Sequence, residues 1–242
     1  MRNLILLGLA LFVVFALVKL PASTIRLVTD NVAAIHMTSL QGSVWNGRGN
    51  VIVQGHPIGS LAWSVTPARL LSARLGVTYR LTGMGAELEG DAIFGSASQR
   101  VTLEGVVSSS LINLYLRPYD LHIDGDFRLS QVDVAVIDDR VDALDGSVHW
   151  SGGDVTYILA GTRSDTRLPA LVARLESTVE EATPGARVYE IDGQIPLLVI
   201  QFLRDGFVKI GVTKLLTKRL NRPWEGADPD DGVVLEVEEQ LF

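Results

Sequence analysis

Leu75-Gly76-Val77-Thr78-Tyr79-Arg80-Leu81-Thr82 places an apolar or aromatic side chain at every second position. Successive side chains of an extended strand point to opposite faces, so this stretch carries one apolar and one polar face. The same period runs outward in both directions. Leu61, Trp63 and Val65 alternate with Ala62 and Ser64 before it. Val101 and Leu103, then Val132, Val134 and Val136, then Val155, Tyr157 and Leu159 keep the spacing after it. One packed face and one solvated face per strand is the signature of antiparallel sheet. Asn46-Gly47, Glu89-Gly90-Asp91, Asp124-Gly125-Asp126 and Ser151-Gly152-Gly153-Asp154 read as tight turns between the strands. Leu121 and Ile123 then pair with Phe127 and Leu129 across residues 124–126. The chain reads as mainly β, a meander forming an antiparallel curved sheet or groove. Groove, sandwich and barrel all give the same alternation.

The sequence contains an internal echo. Leu40-Gln41-Gly42-Ser43-Val44-Trp45-Asn46-Gly47-Arg48-Gly49 returns in weaker form as Leu144-Asp145-Gly146-Ser147-Val148-His149-Trp150-Ser151-Gly152-Gly153. It reads either as two related β units, residues 36–106 and 120–242, or as convergence of Gly- and Trp-bearing hairpins.

The N-terminus is different. Leu4 to Leu20 holds no charge except Lys19, with Arg2 before it and Pro21 after it. As a helix it reaches about 25 Å at 1.5 Å per residue, and Lys19 can snorkel to the interface. A cleaved signal peptide is the alternative, but Leu20-Pro21-Ala22 lacks the small residue that cleavage favours, and Lys19 adds a charge there. We read residues 1–25 as an uncleaved transmembrane anchor with a short cytoplasmic tail, and 26–242 as a periplasmic β-rich domain.

Two stretches break the period of two. Ser108 to Leu116 reads as a short helix capped by Ser and stopped before Pro118. In Pro196 to Leu220, Val208, Val212, Leu215, Leu216 and Leu220 fall on one face of an amphipathic helix, interrupted at Asp205-Gly206 and stopped by Pro223. A last strand, Val233 to Val237, follows. Lys209, Lys214, Lys218 and Arg219 lie in this helical stretch ahead of an acid-rich tail. They form a candidate membrane or partner surface, or a solvated face that the tail neutralises.

Composition narrows the function. The 242 residues carry a net charge of −7 and no Cys. A net acidic chain does not suit nucleic acid, whose phosphates require a basic footprint. Without Cys there is no disulfide, Cys-ligated metal or Cys nucleophile. The four His, at 36, 56, 122 and 149, share no metal-ligand spacing, and the acidic runs lack the Gly and Glu placement of a calcium loop. Nucleophile elbows, phosphate loops and dinucleotide fingerprints are missing. The chain reads as a non-enzyme without cofactor. Trp45, Asn46, Trp63 and Trp150 are the candidate partner- or groove-contact residues. Trp side chains beside turns more often seal the end of a β core.

The order of these features resembles the type II secretion system protein N family. The anchor ends in Leu20-Pro21-Ala22. Gly42-Ser43-Val44-Trp45-Asn46-Gly47 follows, then Ile58-Gly59-Ser60-Leu61-Ala62-Trp63-Ser64-Val65-Thr66-Pro67. The resemblance implies a single-pass accessory component of the inner membrane, facing the periplasm. Its partners would be other type II secretion subunits, and its task export of folded proteins across the outer membrane of Gram-negative bacteria. No active-site residues transfer. The alternative is a β-groove protein that binds or transfers lipid in the same envelope, motivated by the alternating strands and the scarcity of helices to cover them.

Overall fold

The computed structural model describes residues 20–25, 35–138, 140–159, 161–180 and 183–240. The expected anchor, Leu4 to Leu20, lies almost wholly outside them. Among the described residues no helix is long and apolar enough to cross a membrane.

The chain opens with a 3-10 turn, Ala22–Ile25, then lays down six strands: β1 (Ile35–Gly42), β2 (Asn46–Val53), β3 (His56–Thr66), β4 (Leu75–Gly83), β5 (Ala86–Phe94) and β6 (Ser98–Ser108). Helix α1 (Ser109–Leu116) and a 3-10 turn, Arg117–Tyr119, lead into β7 (Leu121–Ile123), β8 (Asp126–Ile137) and β9 (Arg140–Trp150). Next come β10 (Gly153–Leu159), β11 (Thr162–Leu168), β12 (Leu171–Glu180) and β13 (Thr183–Glu190). The last elements are β14 (Leu198–Phe202), β15 (Phe207–Thr213), α2 (Lys214–Arg219) and β16 (Val233–Gln240). Thirteen strands form one sheet, in the order β1-β2-β3-β4-β5-β6-β8-β9-β12-β13-β14-β15-β16. The other three form a small sheet, β11-β10-β7. The described pairings are antiparallel, and the large sheet is open, with β1 and β16 as its edges.

Register carries the alternation across the sheet. Leu61, Leu81 and Leu88 stand opposite one another on β3, β4 and β5. The line passes Gly105 on β6 to Leu129 and Val148. Ala173, Val188, Leu198, Val212 and Leu235 extend it to the last strand. Cross-strand partners share a face, so this apolar line spans the sheet from β3 to β16. Register shifts interrupt several pairings, one of them between Leu103 and Gly105. Such bulges add local twist and bend the sheet.

Small elements cover the apolar face in patches. Ala22 packs on Met37, Trp63 and Val65. Leu111 of α1 packs with Ile58, Ala86 and Val107. The small sheet packs through Val155 and Leu168 onto Trp150.

Five expectations are corrected. The turn at residues 124–126 does not join paired strands. Ile123 stands opposite Val155, while Phe127 stands opposite Trp150, so the chain steps between sheets at Gly125 (φ +91°). Residues 151–154 likewise leave the large sheet for the small one instead of closing a hairpin. Alternation shows which way a side chain points, not which strand lies beside it.

Glu89-Gly90-Asp91 is the middle of β5, not a turn. Glycine is needed there because a Cβ would run into the Thr102 carbonyl on β6. The helix expected from Pro196 to Leu220 is strands β14 and β15 followed by the short α2. A spacing of four satisfies the helical period and the strand period alike, and Val208 and Val212 belong to a strand. Gly206 (φ +87°) turns the β14–β15 hairpin.

Asn46-Gly47 is likewise not the turn itself: it opens β2, and the chain reverses at residues 43–45. Helix α1 and the last strand lie close to where the sequence placed them. Helix α1 begins one residue after its Ser108 cap position, although the Ser108 hydroxyl bonds to Ser110 Oγ at 2.6 Å and not to a backbone N–H. The final strand runs on to Gln240.

Candidate functional site

The first copy of the echo is a hairpin between β1 and β2. Ser43 N–H donates to the Asn46 carbonyl at 2.9 Å, and Asn46 N–H donates to Ser43 Oγ at 3.1 Å. Trp63 is 7% exposed, and its Nε1–H donates to the Val44 carbonyl at 2.9 Å, tying β3 to this turn. Half-buried Trp45 packs on the same cluster. These two Trp seal one end of the apolar face. Asn46 and Trp63 border a wide depression of about 810 Å3 whose wall includes Arg80, Glu89, Asp91 and Asp133. An Arg80–Glu89 ion pair of 2.6 Å and a Thr78–Asp91 hydrogen bond of 2.6 Å occupy part of that wall.

The second copy has a different setting. Trp150 ends β9 where the chain leaves the large sheet. Its Nε1–H donates to the Asp124 carbonyl at 2.7 Å, and its ring stacks on Phe127 with centroids 6.2 Å apart. Trp150 lies five strands from Trp63, roughly 24 Å along the sheet at ~4.8 Å per strand. The four candidate contact residues therefore form two separate groups.

Trp150 borders a cavity of about 360 Å3 between the two sheets. Val148, Ala173, Val188 and Leu198 floor it from the large sheet. Val155 and Leu168 line it from the small sheet, and Leu216 of α2 and Leu220 just after it close a side. The sequence reading proposed Trp150 alone of this set as a contact residue. Alternation had flagged several of the others as apolar, but nothing in it showed that two sheets would face each other here.

The cationic candidates are engaged. Lys209 Nζ lies 2.9 Å from Glu236, and Lys218 Nζ lies 2.5 Å from Asp230. Lys214 Nζ donates to the carbonyls of Gly226 (2.6 Å) and Asp228 (2.8 Å). Arg219 Nε lies 2.6 Å from Glu190 Oε1 and Nη2 lies 3.0 Å from Oε2. These contacts clamp α2 between β13 and the segment before β16. The geometry matches the solvated, neutralised face more closely than an open basic patch.

Titration is perturbed at scattered places. Burial, then the nearby Asp91 charge, push the Tyr79 hydroxyl up to about 12. A hydrogen bond to Glu239 leads the upward shift of Tyr119. Hydrogen bonds from Thr156 and Lys218 lead the lowering of Asp165 and Asp230. These groups lie on separate elements and do not converge on one reacting atom.

Residues 33–193, about two thirds of the chain, match the family described as Type II secretion system (T2SS), protein N. No curated protein and no solved structure matches the chain.

Proposed function

We infer the function from one premise: the chain belongs to the type II secretion system protein N family. It is a component of that secretion system, which serves protein transport, and membership implies interaction with other subunits of the machine. Our finer reading is a non-catalytic accessory of the inner membrane whose β-rich bulk faces the periplasm, supporting export of folded proteins across the outer membrane. The apolar stretch Leu4 to Leu20 supports the membrane placement.

The observation that carries the accessory role is the edge strand β16. It pairs with β15 along one side and ends the sheet. An edge strand presents a row of backbone donors and acceptors that an incoming strand can pair, and alternate side chains then set specificity. On β16 those side chains include Leu235 and Val237, 50% and 57% exposed.

The test uses the tagged full-length chain with a photo-crosslinking amino acid in place of Leu235. After irradiation of native membranes and mild-detergent purification, adducts to other secretion subunits are expected. A chain that purifies alone and forms no adduct at Leu235 would overturn the reading.

A further inference from the structure

The cavity between the two sheets has no place in the accessory role just described. Its lining side chains are aliphatic or aromatic, and the one polar atom among them, Trp150 Nε1, is already bonded to the Asp124 carbonyl. A guest therefore finds no hydrogen-bonding side chain inside, which selects hydrocarbon. Its size also sets it apart from a packing fault. Voids in packed interiors seldom exceed a water molecule, whereas ligand pockets begin near ~300 Å3 and apolar ones stay dry until an apolar guest enters.

The shape of the apolar surface favours a chain over a compact guest. The line of register that floors the cavity leaves it at Leu198 and continues through Val212 to Leu235. A parallel line runs from Ile200 through Ile210 to Val237. Both end on the exposed side chains of β16. Charge is placed to match. Leu220, in the cavity wall, is flanked in sequence by Arg219 and, two residues on, by Arg222. Arg219 meets Glu190, while Arg222 Nη2 lies against the neutral Ser164 hydroxyl at 3.3 Å, on the adjoining β11. Hydrocarbon contacts beside a guanidinium are the two halves of phospholipid recognition.

We propose that the cavity binds one acyl chain of an anionic phospholipid, with the phosphate taken by Arg222. The acyl chain lies between the sheets, covered by α2, and the register line leads it toward β16. The proposal stands on the cavity and does not depend on the secretion partners.

The test places the full-length protein in phosphatidylcholine vesicles doped with phosphatidylglycerol bearing a diazirine on its acyl chain. After photolysis, adducts are expected on peptides holding Val148 to Val155 and Leu216 to Leu220. Adducts confined to residues 4–20, the contact expected of bulk bilayer, would overturn the proposal. So would an unlabelled cavity, as when a segment of the chain itself fills it. Ala173→Phe fills the floor and should cut cavity labelling roughly tenfold, about 1.4 kcal/mol of affinity, with the circular dichroism preserved. Labelling undiminished in that variant refutes the site. Should Ala173→Phe fail to fold, the wild-type adduct map decides alone. Arg222→Gln should weaken cavity labelling by the phosphatidylglycerol probe several-fold, and undiminished labelling in that variant refutes the phosphate assignment.

Discussion

Asn113 fixes where the small sheet sits, and its removal should loosen that sheet before anything else. The side chain is 8% exposed on α1. Its Nδ2 donates to the Ile123 carbonyl at 2.8 Å, and its Oδ1 accepts from the Ile123 N–H at 2.9 Å. Ile123 is the last residue of β7, and the amide of Asn113 pairs it as a neighbouring strand would. Asn113→Ala removes both bonds. Each bond has a net worth of about 0.5–1.5 kcal/mol, and each buried group left unpaired costs about 1–3 kcal/mol. Ile123 is half-buried, so water recovers part of the loss and the expected total is about 2–4 kcal/mol. For a chain of this size that lowers the melting temperature by roughly 4–16 °C. Hydrogen exchange should quicken first at β7 and β10. Asn113→Asp sharpens the test. The carboxylate keeps the acceptor but sets an oxygen against the Ile123 carbonyl. Protonated, it can donate again. Its folded pKa should therefore lie above the unfolded value, so stability recovers as pH falls and is lost as pH rises through the folded pKa. Melting of the full chain in mild detergent measures both variants. An Asn113→Ala melting point within about 1 °C of wild type, where at least ~4 °C is expected, would refute the reasoning. So would an Asn113→Asp variant indifferent to pH.

Three further outcomes follow from the packing. Gly90→Ala drives a methyl group into the Thr102 carbonyl and must part β5 from β6, so a loss of about 2–4 kcal/mol is expected in denaturant midpoint; a neutral result would mean the strands give way easily. Trp63→Phe keeps most of the ring but leaves the Val44 carbonyl without its donor, at a cost of about 1 kcal/mol, with faster exchange at residues 43–46 as its mark. The third concerns Tyr79, whose hydroxyl donates to the Thr102 carbonyl at 2.7 Å and whose pKa is raised to about 12. A raised folded pKa contributes stability that is complete below the unfolded value of 10.0 and lost as pH climbs toward 12. The ultraviolet titration of wild type minus Tyr79→Phe should therefore step near 12, and a step near 10 counts against the burial.

The sequence made the strands legible and left their partners obscure. Leu75 to Thr82 sits wholly within β4, with its apolar residues inward as the alternation required. Alternation is a local property, set by the two-residue repeat of the extended chain. Pairing is not local. Nothing in Leu121-His122-Ile123 reveals that its neighbour is β10, more than thirty residues on, because β7 is held by contacts distant in sequence, Asn113 of α1 and Val155 of β10 among them. The same limit hid the cavity, whose walls come from nine separate elements. Gly90 misled for a related reason. A glycine between two acids signals a turn if only neighbours in sequence are considered, yet here it answers a crowding from β6. The candidate Trp residues were found because a large ring beside a glycine turn stands out. Their division into two groups followed only from strand order.

The two faces of the large sheet divide the work of specifying it. Facing away from the apolar line, Arg80 pairs with Glu89, Arg100 with Asp133, Arg187 with Glu176 and Lys209 with Glu236. These pairs are solvated to varying degrees, and exposed pairs contribute only about 0–1 kcal/mol each. Their value lies in register. A slip of one residue between two strands would turn the whole apolar set of one strand outward, and it would also bring the paired charges out of opposition. A sheet of thirteen strands has twelve such joints, and the apolar line from Leu61 to Leu235 exists only if the joints along it hold. Weak charge pairs on the outer face thus protect a continuous apolar surface on the inner one. Among the described residues that surface is covered in patches, by Ala22, by α1, by the small sheet and by α2, and it reaches the edge at β16 still exposed. An isolated globular domain would gain stability by covering it. A component that must receive a partner strand, a lipid chain or both has a physical reason to leave it open.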